Sequence, residues 1–440
     1  MSGAVRRVLV LVLVTLAPAG DATVAGPLSR LERRAAAAVD SNAPAALALL
    51  ESAVNFNSGS MNFEGVRSVG RLLQPEFEAL GFTTRWVDGS GWGRAGHLIA
   101  RRPGRDGAPR ILLIGHLDTV FERDSSFQKF ERLSETSARG PGIIDMKGGD
   151  VVMLLALRSL QEAGALDRLS LVAILIGDEE DSGAPLSLAR RDLIEAATWA
   201  DVAIGFEDGA GDPRTAVIAR RGSGGWRLET TGRPAHSSQV FRPDIGSGAI
   251  YEAARILAAF HEALRGEPYL TVNPGVILGG TSISFDGDES RGTAFGKTNV
   301  IAEKATVAGD LRSISIEQRE RAKETMRRIA GENLPHTTAT ISFDDGYPPL
   351  APSDGNRRLL ALYDGSSRDL GFGEVTAVDP SRAGAADVSF TEGLVDMALD
   401  GIGLMGDGGH TANETADLRT FPSQAKRIAV TLLRLTEGKR

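Results

Sequence analysis

Histidines and carboxylates stand in five short stretches of the chain, three of them just beyond an apolar run. His116 and Asp118 lie in Ile111-Leu-Leu-Ile-Gly-His-Leu-Asp-Thr-Val120, and Asp145 in Gly142-Ile-Ile-Asp-Met-Lys-Gly148. Glu179 and Glu180 lie in Ile176-Gly-Asp-Glu-Glu-Asp181, Glu207 follows Phe206, and His410 stands in Gly406-Asp-Gly-Gly-His410. Together they offer nitrogen and oxygen donors for two metal ions and leave one carboxylate over. A metal held by His and carboxylate acidifies a water, and a spare carboxylate takes the proton, so the set points to metal-assisted hydrolysis. The chain has no cysteine, which excludes disulfides, thiolate-held zinc and a thiol nucleophile.

Taken singly, each stretch has an ordinary reading as well. His116-x-Asp118 suits a surface turn, but in an extended segment the two side chains share a face, which lets Asp118 orient a metal-bound His116. Asp145 is placed either to bridge two cations or to cap a helix beginning near Lys147. Its flanking glycines suggest a backbone that comes close to something. Asp178-Glu-Glu-Asp181 reads as a solvated acidic turn, yet two adjacent carboxylates at a buried strand end need a cation or a proton to relieve them. His410 alone in a glycine-rich loop, and His236 in Gly232-Arg-Pro-Ala-His236, would each pass for a surface histidine. His236 also suits polarisation of a carbonyl or stabilisation of an oxyanion. His97, His261 and His336 read as structural.

The elements that must carry these groups follow from hydrophobic period. Pro44 to Asn55 and Phe63 to Leu80 repeat apolar residues at helical spacing, and Lys147 to Gly164 is a further helix. Ile111 to Ile114, Leu171 to Ile176 and Val202 to Ile204 are short apolar runs, the mark of strands buried on both faces of a mixed or parallel sheet. Acid or histidine groups follow each run, where open α/β sheets place their sites. From about Gly222 the pattern changes to alternating strands (Trp226 to Thr230, part of Val300 to Ile314, Thr338 to Phe343) and two amphipathic helices (Ile250 to Leu264, Glu317 to Ala330). The expected fold is α/β: a mixed-sheet catalytic domain, split into residues 26–221 and 345–440, with an α+β domain of residues 222–344 inserted in its middle.

A chain of 440 residues suits two or three domains. Its net charge of −8 disfavours nucleic acid as a partner. Residues 1–19 read as a signal peptide: Arg6 and Arg7 precede a short apolar run, and Ala17-Pro-Ala19 offers small residues for cleavage. The expected protein is therefore exported, periplasmic or secreted, with no stable membrane anchor once the signal is cleaved.

In that order and context, the stretches resemble the di-zinc amidohydrolase family of glutamate carboxypeptidases, aminoacylases, acetylornithine deacetylase and succinyl-diaminopimelate desuccinylase. The branch most resembled is the carboxypeptidase G type. The resemblance implies a zinc held by His116, Asp145 and Glu207, and a second held by Asp145, Glu180 and His410, with Asp145 bridging. It implies that Asp118 orients His116 and that Glu179 is the general base, activating a hydroxide between the metals for attack on an amide carbonyl. The inserted domain becomes a lid or dimerisation domain of a homodimer, contributing His236 to the active site. Asn299 in Lys297-Thr-Asn299 and Arg312 in Gly309-Asp-Leu-Arg312 match positions used near the substrate's carboxylate. Arg220 and Arg221 are weaker candidates for that task. The chain departs from the family at Ala383-Gly-Ala-Ala-Asp387, where Gly-Gly-Thr/Ser-Asp is common, and at Gly346-Tyr-Pro-Pro349, where the carboxypeptidase G type carries an Arg. The implied reaction is release of a C-terminal amino acid from a small peptide. The alternatives are an N-acyl-amino-acid deacylase on the same machinery and a non-catalytic exported binding protein.

Overall fold

The computed structural model describes residues 27–287 and 290–437; the signal-peptide reading lies outside them. The central sheet holds six strands: β1 (Thr83–Asp88), β2 (Gly96–Arg102), β3 (Arg110–His116), β4 (Ser170–Ile176), β5 (Val202–Gly205) and, much later in the chain, Met397–Leu399. Its order is β1-β2-β4-β3-β5 and then Met397–Leu399. β1, β2 and β4 pair antiparallel, while β4, β3, β5 and Met397–Leu399 run parallel. The sheet is thus mixed, antiparallel at the β1 edge and parallel from β4 to the opposite edge at Met397–Leu399. β3 is buried on both faces from Ile111 to His116, which is why its sequence is a continuous apolar run rather than an alternating one.

Helices cover both faces. On one side, α1 (Arg30–Val54), α2 (Phe63–Ala79), α3 (Lys147–Glu162) and the C-terminal helix Thr420–Leu435 build the larger core around Leu73, Phe77, Leu113, Leu157 and Phe421. On the other, the helix Arg191–Trp199 packs Leu193 and Ala196 against Leu112, Ile174 and Ile176. α1 begins well before the Pro44 start expected from periodicity. Ser29 caps it, its side chain accepting from Glu32 N while Glu32 answers to Ser29 N, and Pro44 is carried inside the helix. The α1 faces packed on α3 and the C-terminal helix outweigh the hydrogen bond that a proline removes.

Residues 222–347 build a separate sheet of four antiparallel strands: β6 (Gly222–Gly232), β7 (Thr271–Gly280), β8 (Lys304–Ser313) and β9 (Thr337–Tyr347), in the order β7-β8-β6-β9. Two helices, α4 (Ala249–Leu264) and α5 (Ile316–Gly331), pack on one face around Trp226, Leu228, Phe260, Val307 and Met326. β7 and the hairpin of Ser282–Asp286 with Arg291–Phe295 have no counterpart in the sequence reading. Pro274 and the bulge beside it break the alternation of β7, so its strand character comes from pairing with β8. Among the described residues no helix is long and apolar enough to cross a membrane.

Candidate metal centre

Three neighbouring strands deliver the first donors. His116 ends β3, Glu179 and Glu180 stand just past the end of β4, and Glu207 stands just past the end of β5. Parallel strands in register bring their carboxyl ends to one rim of the sheet. Asp145 comes from the turn before α3. The helix start can lie against β5 because Gly149 has no side chain: a Cβ there would stand 1.9 Å from the Phe206 carbonyl oxygen. Asp145 does not cap α3; its N-cap is Met146, with no side-chain cap, so the Asp145 carboxylate is free for the rim. His410 arrives from the loop before Thr415–Asp417 in a left-handed conformation, with φ 61°, between Gly408 and the returning strand. Non-glycine residues are uncommon there.

Asp145 stands between the two histidines. One carboxylate oxygen is 3.0 Å from His116 Nε2 and the other 2.9 Å from His410 Nε2. Glu207 lies 3.7 Å from His116 Nε2, and Glu180 lies 3.1 Å from His410 Nε2. Two trios result, His116–Asp145–Glu207 and Asp145–Glu180–His410, and the donor atoms within each lie within 4.8 Å of one another. Glu179 belongs to neither trio, although its carboxyl is close enough to His116, Asp145 and Glu180 to feel their charge.

The donors fit a pair of divalent cations. Two imidazoles and three carboxylates suit a borderline ion such as zinc, and Asp145 offers one oxygen to each trio. Glu180 Oε1 is buried with no hydrogen-bond partner, a cost that a cation removes. Burial pushes the Glu179 and Glu207 carboxyls well up. Burial would lower His116, but hydrogen bonds to Asp118 and Asp145 outweigh it and hold its proton well above the usual range. Hydrogen bonds to Asp145 and Glu180 raise His410 to about 11. Cations and these protons compete for the same lone pairs, so metal binding releases protons.

Asp118 does more than orient one ring. Its carboxylate lies 3.5 Å from His116 Nδ1, whose closer partner, at 3.1 Å, is the Asp118 backbone oxygen. The same carboxylate accepts from Ser60 Oγ at 2.6 Å and from the Glu179 and Glu180 amides at 3.0 and 3.1 Å. It therefore pins the end of β3 to the acidic pair after β4.

Other groups had no signal in the sequence. Glu414 accepts from the amides of Gly142, Ile144 and Asp145 at 2.9, 2.9 and 3.2 Å, fixing the Asp145 turn. Asp178, adjacent to Glu179, is bound by the fully buried Arg190, which also binds Asp387. Asp400 accepts from the Glu207 amide at 3.3 Å and from Arg220 Nε at 2.7 Å. Only position relative to the Gly-Gly-His410 stretch and to Ala383-Gly-Ala-Ala386 could have drawn attention to Glu414 and Asp387.

Arg220 is thus buried and paired with Asp400, not free to receive a substrate carboxylate as the sequence suggested. Arg221 reaches Ser381 O. Arg312 pairs with Asp310 at 3.1 Å on the same strand. His236 is exposed and shares its Nδ1 with Ser238, and its neighbour Asn299 accepts from Ser237 N at 2.9 Å. His236 and Asn299 thus lie together on the unit of residues 222–347, and no hydrogen bond or ion pair among the described residues joins them or Arg312 to the metal trios. His97 is buried and neutral: desolvation, with Arg190 nearby, lowers its pKa to about 4, and it bonds Ala189 O and the Gly177 amide.

The family profile described as Peptidase family M20/M25/M40 matches residues 112–434. The chain is 26% identical over 403 residues to Carboxypeptidase G2 of Pseudomonas sp. (strain RS-16), covering 90% of each. In structure it is similar to aminopeptidase PepT of Bacillus cereus, with a TM-score of 0.66 and 19% identity over 90% of this chain and 99% of that one. It is similar also to the YXEP protein of Bacillus subtilis, described as a dinuclear metal binding peptidase, with a TM-score of 0.62 and 16% identity over 90% of this chain and 99% of that one.

Proposed function

Since the chain belongs to Peptidase family M20/M25/M40 and carries the two-metal centre of a metal-dependent hydrolase, we propose that it is a zinc carboxypeptidase, releasing a C-terminal amino acid from small peptides. The observation that carries the reading is Asp145, with one oxygen on each histidine-bearing trio and the buried Glu179 left over beside them. The relative called Carboxypeptidase G2, similar along nine-tenths of the chain, supports the choice of reaction.

Two zinc ions, when bound, would supply Lewis acidity and an acidified water at the rim. His116, Asp145 and Glu207 would hold one, and Asp145, Glu180 and His410 the other. Glu179 takes the proton of the attacking water and returns it to the leaving amine; its raised affinity for protons, caused by burial, suits that shuttle. Asp118 keeps the His116 ring and the Glu179 peptide in place through both transfers.

The remaining parts belong to a homodimer of exported, periplasmic or secreted subunits. The unit of residues 222–347 carries an exposed apolar face: Ile250 and Tyr251 on α4, Ile277 on the edge strand β7, and Phe241 and Phe295 beside them, 47–64% exposed. Phe241 and Tyr251 are in ring contact, and Ile250 packs at Gly279, so the face runs from Phe241 across α4 to β7. A second copy seated there brings its His236 and Asn299 to the partner's metal centre, with His236 as oxyanion donor and Asn299 and Arg312 at the substrate carboxylate.

The test is release of free amino acid from a panel of dipeptides and N-acyl amino acids, with zinc-loaded and chelator-treated protein in parallel. Zinc-dependent release of the C-terminal residue from dipeptides blocked at the N-terminus establishes the carboxypeptidase. Release from N-acetyl amino acids alone establishes the deacylase instead. A two-metal protein inert towards every member overturns both in favour of a binding protein.

A further inference from the structure

The loop Gly177–Gly183, which carries Glu179 and Glu180, is tied down along its length. The Gly177 amide donates to His97 Nδ1 at 3.1 Å, and the Glu179 and Glu180 amides donate to Asp118. Asp178 accepts from Arg190 Nη1 at 2.8 Å and from the Gly183 amide at 2.9 Å. Asp181 is held by Arg94, and Ser182 Oγ accepts from Arg190 at 3.1 Å. All of these ties come from residues before 191, in the part of the chain that builds the central sheet.

One tie comes from elsewhere. Tyr347 is the last residue of β9, its backbone paired with Ser223 of β6 in the four-stranded sheet. Its hydroxyl lies 3.2 Å from Glu179 O and 3.1 Å from Ser182 Oγ, and it receives a hydrogen bond from Arg190 Nη2. A phenol has one proton and two lone pairs. With Arg190 able only to donate and Glu179 O only to accept, the proton goes to Glu179 O and Ser182 donates to the phenolic oxygen. The ring itself packs edge-on against Phe390, centroids 5.0 Å apart, and stands over the Arg190 guanidinium. Arg190 in turn joins Asp178 to Asp387, so the hydroxyl closes a buried network around the base. The two chain crossings into and out of the inserted sheet run side by side here, Arg220 pairing with Leu350.

We propose that Tyr347 is a positioning residue: its hydroxyl, carried on the last strand of the inserted sheet, holds the Glu179 peptide and so couples the placement of that sheet to the orientation of the base. The inference rests on the reading of Glu179 as general base. A displacement of the inserted sheet about its crossings draws the hydroxyl off Glu179 O and leaves that partly buried carbonyl without this partner, which favours the seated arrangement.

Two variants test it. Tyr347→Phe removes the hydroxyl and keeps the ring; Phe390→Leu removes the ring contact and keeps the hydroxyl. In zinc-loaded Tyr347→Phe, amide hydrogen exchange in 177–183 is expected to quicken about tenfold. Its kcat is expected to fall about tenfold with KM changed less than about twofold and both metals retained. Phe390→Leu is expected to lower Tm while leaving kcat near that of the unaltered protein. Unchanged exchange in 177–183 with unchanged kcat in Tyr347→Phe overturns the proposal, as does loss of kcat only in step with lost metal or lost Tm. If the unaltered protein is inert towards all amides yet Tyr347→Phe loosens 177–183, the tether stands and the hydrolase reading falls. If the unaltered protein is active and Tyr347→Phe matches it in exchange and kcat, the tether alone falls.

Discussion

A single carboxylate serves two cations only if its two oxygens face different partners, and Asp145 meets that condition by standing between His116 and His410. Glu179 is distinguished from Glu180 by what it lacks, a histidine within ligand distance, so its proton chemistry is free for the reaction. Glu179→Gln should therefore lower kcat by roughly 10²–10⁴-fold while the protein retains two metals by elemental analysis. Near-normal turnover in that variant would remove Glu179 from the base role. His97 makes a separate prediction. Its pKa in the fold is about 4, below the ordinary 6.5, so the unfolded chain binds the proton that the folded chain refuses. The stabilisation is fully present above about pH 6.5 and is lost as pH falls towards 4, by about 3 kcal/mol in all. In metal-free protein, His97→Gln should be less stable at pH 7.5 but flatter by about 2–3 kcal/mol between pH 7.5 and 4.5. Urea unfolding at both values decides it, and parallel pH dependences for the two proteins would refute the assignment.

Elements matter here through the turns at their ends. The turn before α3 has to present Asp145 with its backbone amides satisfied, and it does so with a carboxylate from far along the chain: Glu414 takes three of them. Burial pushes Glu414 up to about 7 against the donors that lower it, which shows how deeply the group is placed. Glu414→Ala leaves three buried amides without an acceptor and should cost roughly 2–4 kcal/mol of stability. The same variant should keep fewer than two metals after dialysis, because the Asp145 turn is no longer fixed. Retention of both metals with unaltered Tm would show that the turn holds itself. Asp118 plays the matching part for the loop after β4, linking two strand ends with one carboxylate.

At the scale of the whole molecule, two sheets with separate cores are joined at paired crossings, and the exposed apolar face of α4 and β7 points away from both cores. An exposed apolar face of this kind usually marks an interaction site. The proposed dimer makes this concrete: Tyr251→Glu together with Ile277→Lys should convert a dimer to a monomer in sedimentation velocity. Turnover should fall with it if the partner subunit supplies the oxyanion donor, and His236→Ala should then lower kcat without dissociating the dimer. A protein that sediments as a fully active monomer would contradict both the assembly and the role in trans.

Much of the centre was legible along the chain because a buried parallel strand writes itself as an unbroken apolar run, and the rim residues follow within a few positions. His116, Glu179, Glu180 and Glu207 are read from β3, β4 and β5 in this way, and the short separations leave little freedom in where they point. The mixed α/β architecture follows from the same runs and from the change of period after Gly222. What the tertiary structure alone decided are the pairings between distant groups. Arg190 with Asp387, Glu414 with the Asp145 turn, Arg220 with Asp400 and Tyr347 with Glu179 each join residues separated by more than 165 positions. In sequence these look like charges on solvated turns, since nothing local distinguishes a carboxylate facing water from one facing a buried guanidinium. Burial creates that difference, because only in a low-dielectric interior must each charge find its partner, and burial is a property of the folded chain.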